Sequence, residues 1–144
     1  MKLVDSNVWL ALVVGTHQHH AAASNWFAGQ GPDQAIFCRP TQQSFLRLLT
    51  TRSVQNLYNR QPLTNREAYD LYLNLLVDQR VGFVQEPNSI DAHWQRLASI
   101  PSCSPKLWID AYLAAFAIAG KHQLVTIDKA FAQFDGLDLV VLSS

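Results

Sequence analysis

Five short apolar runs recur along the chain, and the segments between them mostly carry helical spacing. Leu3-Val4, Gln34 to Cys38, Val81 to Val84, Leu124 to Ile127 and Leu139 to Leu142 read as strands. Continuous apolar strands, as opposed to alternating ones, are what a sheet covered on both faces requires. Val8 to Val14, behind the turn Asp5-Ser6-Asn7, is apolar enough for a short buried helix. His19 to Phe27 has the spacing of a second, with Ala22, Trp26 and Phe27 inward and Gly29 as its stop. Pro40-Thr41 opens a third, through Leu49, with Phe45, Leu48 and Leu49 as its stripe. Thr64-Asn65-Arg66-Glu67 has the form of a capping box, opening a helix with Ala68, Leu71, Leu75 and Leu76. Asn88 or Ser89 caps a helix carrying Trp94 and Leu97, and Pro105 or Lys106 opens a long one closed by Gly120. Strands alternating with helices predict an α/β domain built on a mostly parallel sheet. No repeat, low-complexity tract or linker divides the chain, so residues 1–144 read as a single domain.

Three aspartates interrupt this apolar framework. Asp5 ends the opening run, Asp128 ends the Leu124–Ile127 run, and Asp110 lies within Leu107 to Ala117, otherwise an apolar stretch. A carboxylate in such surroundings is costly to desolvate unless a cation compensates it. In a parallel sheet all strand C-terminal ends share one edge, which brings Asp5 and Asp128 there. The helix holding Asp110 feeds the strand that ends at Asp128, so its N-terminal part returns to that edge. Its positive end favours anions. Three carboxylates this close repel unless a cation sits among them. An all-oxygen set favours Mg²⁺ or Mn²⁺ over zinc, and such a site suits phosphodiester hydrolysis. The structural alternative makes Asp5 a turn residue, Asp128 a helix cap and Asp110 an incidental polar group.

Composition bounds the partners. Net charge is zero, which signals no nucleic acid globally. Locally, no acid occurs between Asp33 and Glu67, a window holding Arg39, Arg47, Arg52, Arg60 and Arg66. That positive window beside an acidic centre suits a polyanion, with Arg47 and Arg52 as RNA-binding candidates. A solvated helical face or a dock for an acidic partner would look the same. The 15% charged content is low and suggests a surface partly covered by a partner or a second copy. No secretory signal opens the chain, and the apolar stretch after Val8 turns polar by His17-Gln18, too short for a membrane span. Cys38 and Cys103 read as buried reduced thiols of a cytoplasmic protein.

Asp5-Ser6-Asn7, Asp110 to Ala117 and Leu124 to Phe131 together resemble the three signatures of PIN domains, most closely VapC-type toxins of bacterial toxin–antitoxin pairs. The likeness spans essentially the whole chain. It implies a three-layer α/β/α fold, a Mg²⁺- or Mn²⁺-dependent endoribonuclease, a homodimer, and a small VapB-like antitoxin that covers the site. It casts Asp5 and Asp110 as the main metal ligands, Asp128 as the acid completing the site, and Asn7 and Thr126 as polar residues orienting the carboxylates.

One departure stands out. The family's usual glutamate after the second strand is Ser44 here, within Thr41-Gln42-Gln43-Ser44-Phe45-Leu46. A hydroxyl holds a water but brings no charge, which predicts weaker metal binding and one firmly held ion. It also leaves open a catalytically weak RNA-binding module. Glu86 and Asp91 are possible substitutes. His17, His19 and His20 read as a solvent-facing helix start because their spacings do not suit zinc. Trp26, Trp94 and Trp108 read as core or dimer contacts, and Tyr58 as a base-stacking candidate. A phospho-accepting receiver domain fits poorly, since the Gln34–Cys38 strand leads into Arg39-Pro40 and not an aspartate.

Overall fold

The structure, a computed structural model, describes residues 1–143. In chain order the elements are β1 (Lys2–Val4), α1 (Ser6–Val13), α2 (His20–Ala28), β2 (Ala35–Phe37), α3 (Arg39–Thr50) and α4 (Arg52–Asn56). There follow α5 (Asn65–Val77), β3 (Val81–Phe83), α6 (Ile90–Ala98), α7 (Leu107–Gly120), β4 (Gln123–Thr126), a 3₁₀ turn (Lys129–Gln133) and β5 (Leu139–Val141). The five strands form one sheet in the order β3-β2-β1-β4-β5, and every neighbouring pair is parallel.

Because successive strand residues face opposite sides, the sheet divides its apolar residues between two cores. Val4, Ala35, Phe37, Val81 and Val125 face a core closed by α1, α2, α3 and α5. Leu3, Ile36, Cys38 and Leu124 face a second, closed by α6, α7 and the 3₁₀ turn. This is the three-layer α/β/α arrangement. Trp9 anchors the first core, stacked on Phe37 with ring centroids 4.1 Å apart and both side chains fully buried. Burying a side chain of this kind contributes about 2–3 kcal/mol, and Phe37→Ala would cost about 3–5 kcal/mol through the cavity left behind.

Local chemistry sets the boundaries. Asp5-Ser6-Asn7 is not a free turn: Asp5 is the N-cap of α1, accepting a hydrogen bond from Ser6 N at 2.8 Å, so the helix begins earlier than hydropathy suggests. The Thr64–Glu67 capping box forms as expected, with Glu67 N donating to Thr64 Oγ1 and Thr64 N to Glu67 Oε1. In α5 the buried residues are Ala68 and Tyr72, while Tyr69, Leu73 and Val77 are exposed. The left-handed residue closing α7 is Lys121 (φ 56°), not Gly120. Gly120 is needed for space, since a Cβ there would lie 2.5 Å from His122 Nε2. Trp26 and Trp94 are partly buried and pack against the first and second cores, whereas Trp108 is 56% exposed and is not a core residue. Cys38 is buried as expected, but Cys103 is exposed, against the expectation for it. Among the described residues, no helix is long and apolar enough to cross a membrane.

Candidate active site

β1 and β4 are hydrogen-bonded neighbours, with Lys2, Leu3 and Val4 opposite Gln123, Leu124 and Val125. The chain leaves β1 toward β2 on one side, while β4 lies on the other. Such a reversal opens a crevice at the strands' C-terminal edge. Asp5 extends the ladder, its N–H donating to Val125 O at 2.9 Å. Asp128 lies two residues beyond β4, and Asp110 lies in the first turn of α7.

The two strand-end aspartates divide their oxygens between structure and site. Asp5 Oδ1 caps α1, and Asp5 Oδ2 accepts a 2.7 Å hydrogen bond from Thr126 Oγ1. Asp128 Oδ1 accepts from Ala130 N at 2.9 Å, capping the 3₁₀ turn, and its Oδ2 faces the Lys106 ammonium at 3.5 Å. Reading Asp128 as a cap is therefore correct, Asp5 is a cap and not a turn residue, and neither capping role excludes a further one. Thr126 joins the two: fully buried, it also accepts from Asp128 N at 3.0 Å. Asn7 braces the same corner, its Nδ2 donating to Thr126 Oγ1 and its Oδ1 accepting from Ile127 N, both at 3.4 Å.

Burial pushes the Asp5 carboxyl above the ordinary carboxylate range. Hydrogen bonds from Thr126 and Ser6 oppose that shift, while the negative charges of Asp110 and Asp128 add to it. Asp110 is also raised, first by burial and then by Asp128, against the pull of Lys106. The three carboxylates thus lie within electrostatic reach of one another. Among the described residues, no three His, Cys, Asp or Glu side chains close tightly enough to form a finished metal cage. Mg²⁺ does not require one, since one or two carboxylates with waters completing an octahedron suffice. The donor set fits: it is all oxygen, its charges repel, and it already draws the Lys106 ammonium onto Asp110 and Asp128.

Ser44 reaches this corner through Ser6, with 2.9 Å between the two hydroxyl oxygens. Neither suggested substitute acid stands at the site. Glu86 accepts a hydrogen bond from Tyr112 Oη, and Asp91 is exposed on α6. Ser44 and Arg47 line a cavity of about 390 Å³ with Trp94, Trp108, Ile109 and Tyr112, between α3 and the α6–α7 pair. Arg52 is exposed at the start of α4 and does not line it. Tyr58 is stacked on His17, ring centroids 4.7 Å apart, so one face of this stacking candidate is covered. His20 is held through Nδ1 to Ala11 O at 2.8 Å, which ties the histidine segment to α1. Ser6 and Lys106 are the site neighbours that sequence reasoning missed. Lys106 left a signal, four residues before Asp110 and so on the same helix face.

Residues 2–137 match the PIN domain family. The chain belongs to that family. It is 47% identical to Ribonuclease VapC41 of Mycobacterium tuberculosis over 99% of both chains. Among solved structures, this PIN domain superposes on Mycobacterium tuberculosis VapC20, described as a sarcin-ricin loop cleaving toxin. The TM-score is 0.65, at 16% identity, covering 96% of this chain and 98% of that one. A toxin–antitoxin complex from Klebsiella pneumoniae gives a TM-score of 0.60 at 13% identity, covering 98% and 97%.

Proposed function

We propose that this PIN domain is the toxin of a VapC-type toxin–antitoxin pair, an endoribonuclease that hydrolyses RNA phosphodiester bonds with Mg²⁺ or Mn²⁺. The observation that carries the reading is the linkage of the three aspartates, Asp5 to Asp128 through Thr126 and Asp128 to Asp110 through Lys106, in a chain 47% identical throughout to a ribonuclease VapC. Asp5 and Asp110 would hold the ion and Asp128 would complete its surroundings. Bound there, a divalent cation supplies positive charge against the charge developing on phosphate, and it acidifies water.

The chain's own residues do the rest. Ser6 N and Thr126 Oγ1 fix both oxygens of Asp5, so the carboxylate meets its ligand preoriented. Arg47, exposed on the wall of the neighbouring cavity, can grip a phosphate of the bound strand; Arg52 would act further out. Ser44 supplies a neutral hydroxyl where the family usually has a glutamate, which supports a one-ion site. The same residue supports a second reading, an RNA-binding module that cuts weakly.

The likeness to the Klebsiella toxin–antitoxin complex supports an antitoxin as partner, and the VapC resemblance makes it a small VapB-like one. On α5, Tyr69, Leu73 and Val77 recur at four-residue intervals and are 47%, 46% and 82% exposed. An exposed apolar stripe of this kind supports a homodimer, and an RNA substrate implies a cytoplasmic location. The deciding experiment is cleavage of total RNA with Mg²⁺, Mn²⁺ or chelator. Asp5→Asn and Asp110→Asn should abolish cleavage while retaining the fold by circular dichroism. Full Mg²⁺-dependent activity in Asp110→Asn would sink the assignment.

A further inference from the structure

Lys106 sits at the mouth of the carboxylate site. It is the N-cap residue of α7, one turn before Asp110, and Asp110 N donates back to Lys106 O at 3.5 Å. Its ammonium lies 3.5 Å from Asp128 Oδ2 and 3.9 Å from Asp110 Oδ2. Among the described residues, it is the one cation within ion-pair distance of any of the three aspartates, pairing with Asp110 and Asp128. The Asp128 oxygen it meets is the one not committed to capping the 3₁₀ turn. The ammonium therefore rests on carboxylate oxygens that a divalent ion would need. Two cations cannot share those oxygens without strong repulsion. The lysine can leave easily, because its side chain is 76% exposed and the flexible stem can carry the charge into solvent.

We infer that Lys106 is a displaceable counter-ion of the active site: it competes with the divalent cation for Asp110 and Asp128, and once displaced it projects beside the site as a ligand for substrate phosphate. The inference rests on the metal-dependent reading of the three aspartates. It has two consequences. The resting protein is protected from its own carboxylate repulsion, at a cost in metal affinity. Metal entry also releases a positive charge on the side from which a polyanion approaches.

The test is a calorimetric titration of Mn²⁺ at low ionic strength, with no RNA present. Lys106→Ala should bind Mn²⁺ about threefold more tightly than the native chain, the scale of an exposed ion pair. Lys106→Arg, which keeps the charge, should stay near native affinity. Lys121→Ala, at the far end of α7, controls for net charge and should change nothing. In saturating Mn²⁺, binding of a 2′-O-methyl RNA oligonucleotide should weaken in Lys106→Ala, and its salt slope should fall by about 0.7, one phosphate contact on a single strand. Equal or weaker Mn²⁺ binding by Lys106→Ala overturns the competition, and an unchanged slope overturns the phosphate role. Asp5→Asn separates the two levels. If it loses Mn²⁺ binding while Lys106→Ala matches the native chain, only the lysine inference fails. If it binds Mn²⁺ as the native chain does, the metal reading fails with it.

Discussion

Replacing Thr126 with valine removes one oxygen from the centre of the site and changes little else in shape. The side chain is fully buried, and its hydroxyl serves Asp5, Asp128 and Asn7 together. Losing the donor to the Asp5 carboxylate costs about 1.5–3 kcal/mol, as for a hydrogen bond to a charged group. The Asp128 N–H loses its acceptor, adding about 1–3 kcal/mol if nothing replaces it. The new methyl group returns about 0.8 kcal/mol through burial. A net loss of about 2–5 kcal/mol follows, a large share of the about 5–15 kcal/mol that stabilises a typical domain. Urea unfolding in chelator, followed by tryptophan fluorescence, is the assay. With a slope of about 2 kcal/mol per molar urea, the midpoint should fall by about 1–2.5 M. Thr126→Ser keeps the hydroxyl and should lose only about 1 kcal/mol, the value of its methyl group. A second readout follows from acidity. Thr126 opposes the effect of burial on Asp5, so without it the Asp5 carboxyl rises further. Mn²⁺ affinity should then fall more at pH 6 than at pH 8. If the serine variant is as damaged as the valine one, packing and not the hydroxyl governs this corner, and the reasoning fails.

Asp110→Asn probes the pH dependence of the metal-free fold. The Asp110 carboxyl is raised in the folded protein, so between its unfolded and folded values the native state binds more protons. Its contribution therefore lowers stability as pH rises through that window. In chelator, the variant's melting temperature should exceed the native one increasingly from acid to neutral pH, and saturating Mn²⁺ should reverse the order. A constant difference across pH would refute this. Ser44→Glu places a carboxylate beside Ser6 and should tighten Mn²⁺ binding by calorimetry; unchanged affinity would remove Ser44 from the site. Leu73→Glu on the exposed α5 stripe should dissociate a homodimer in sedimentation equilibrium, leaving the monomer folded. A dimer that persists at native strength would move the interface elsewhere.

The framework is readable from sequence because strands covered on both faces must be apolar throughout, and the aspartates are readable because they break those runs. Capping chemistry is readable when both partners are local, as at Thr64 and Glu67. What escapes depends on distant partners. Helix α4 has no apolar stripe; its buried residue is Gln55, whose Nε2 donates to Leu48 O at 2.9 Å. Lys106 has a readable neighbour in Asp110, but Asp128 lies 22 positions away and meets it only through the sheet. Apolarity also misleads where it does not mean burial. Trp108 and Ile109 precede Asp110 in sequence as core residues would, yet they are 56% and 67% exposed beside the cavity.

The hydrogen bond from Thr126 to Asp5 spans 121 positions. In synthesis Asp5 precedes by 121 residues the β4 partner that completes its surroundings. Contacts of such long separation form late in folding. An interrupted translation product lacking β4 would carry Asp5 and Ser44 but no assembled centre, and would be harmless. For a chain whose activity endangers the cell that makes it, the placement of β1 against β4 ties activity to the synthesis of β4. It leaves an interval after synthesis begins in which a partner can be made before there is anything to restrain.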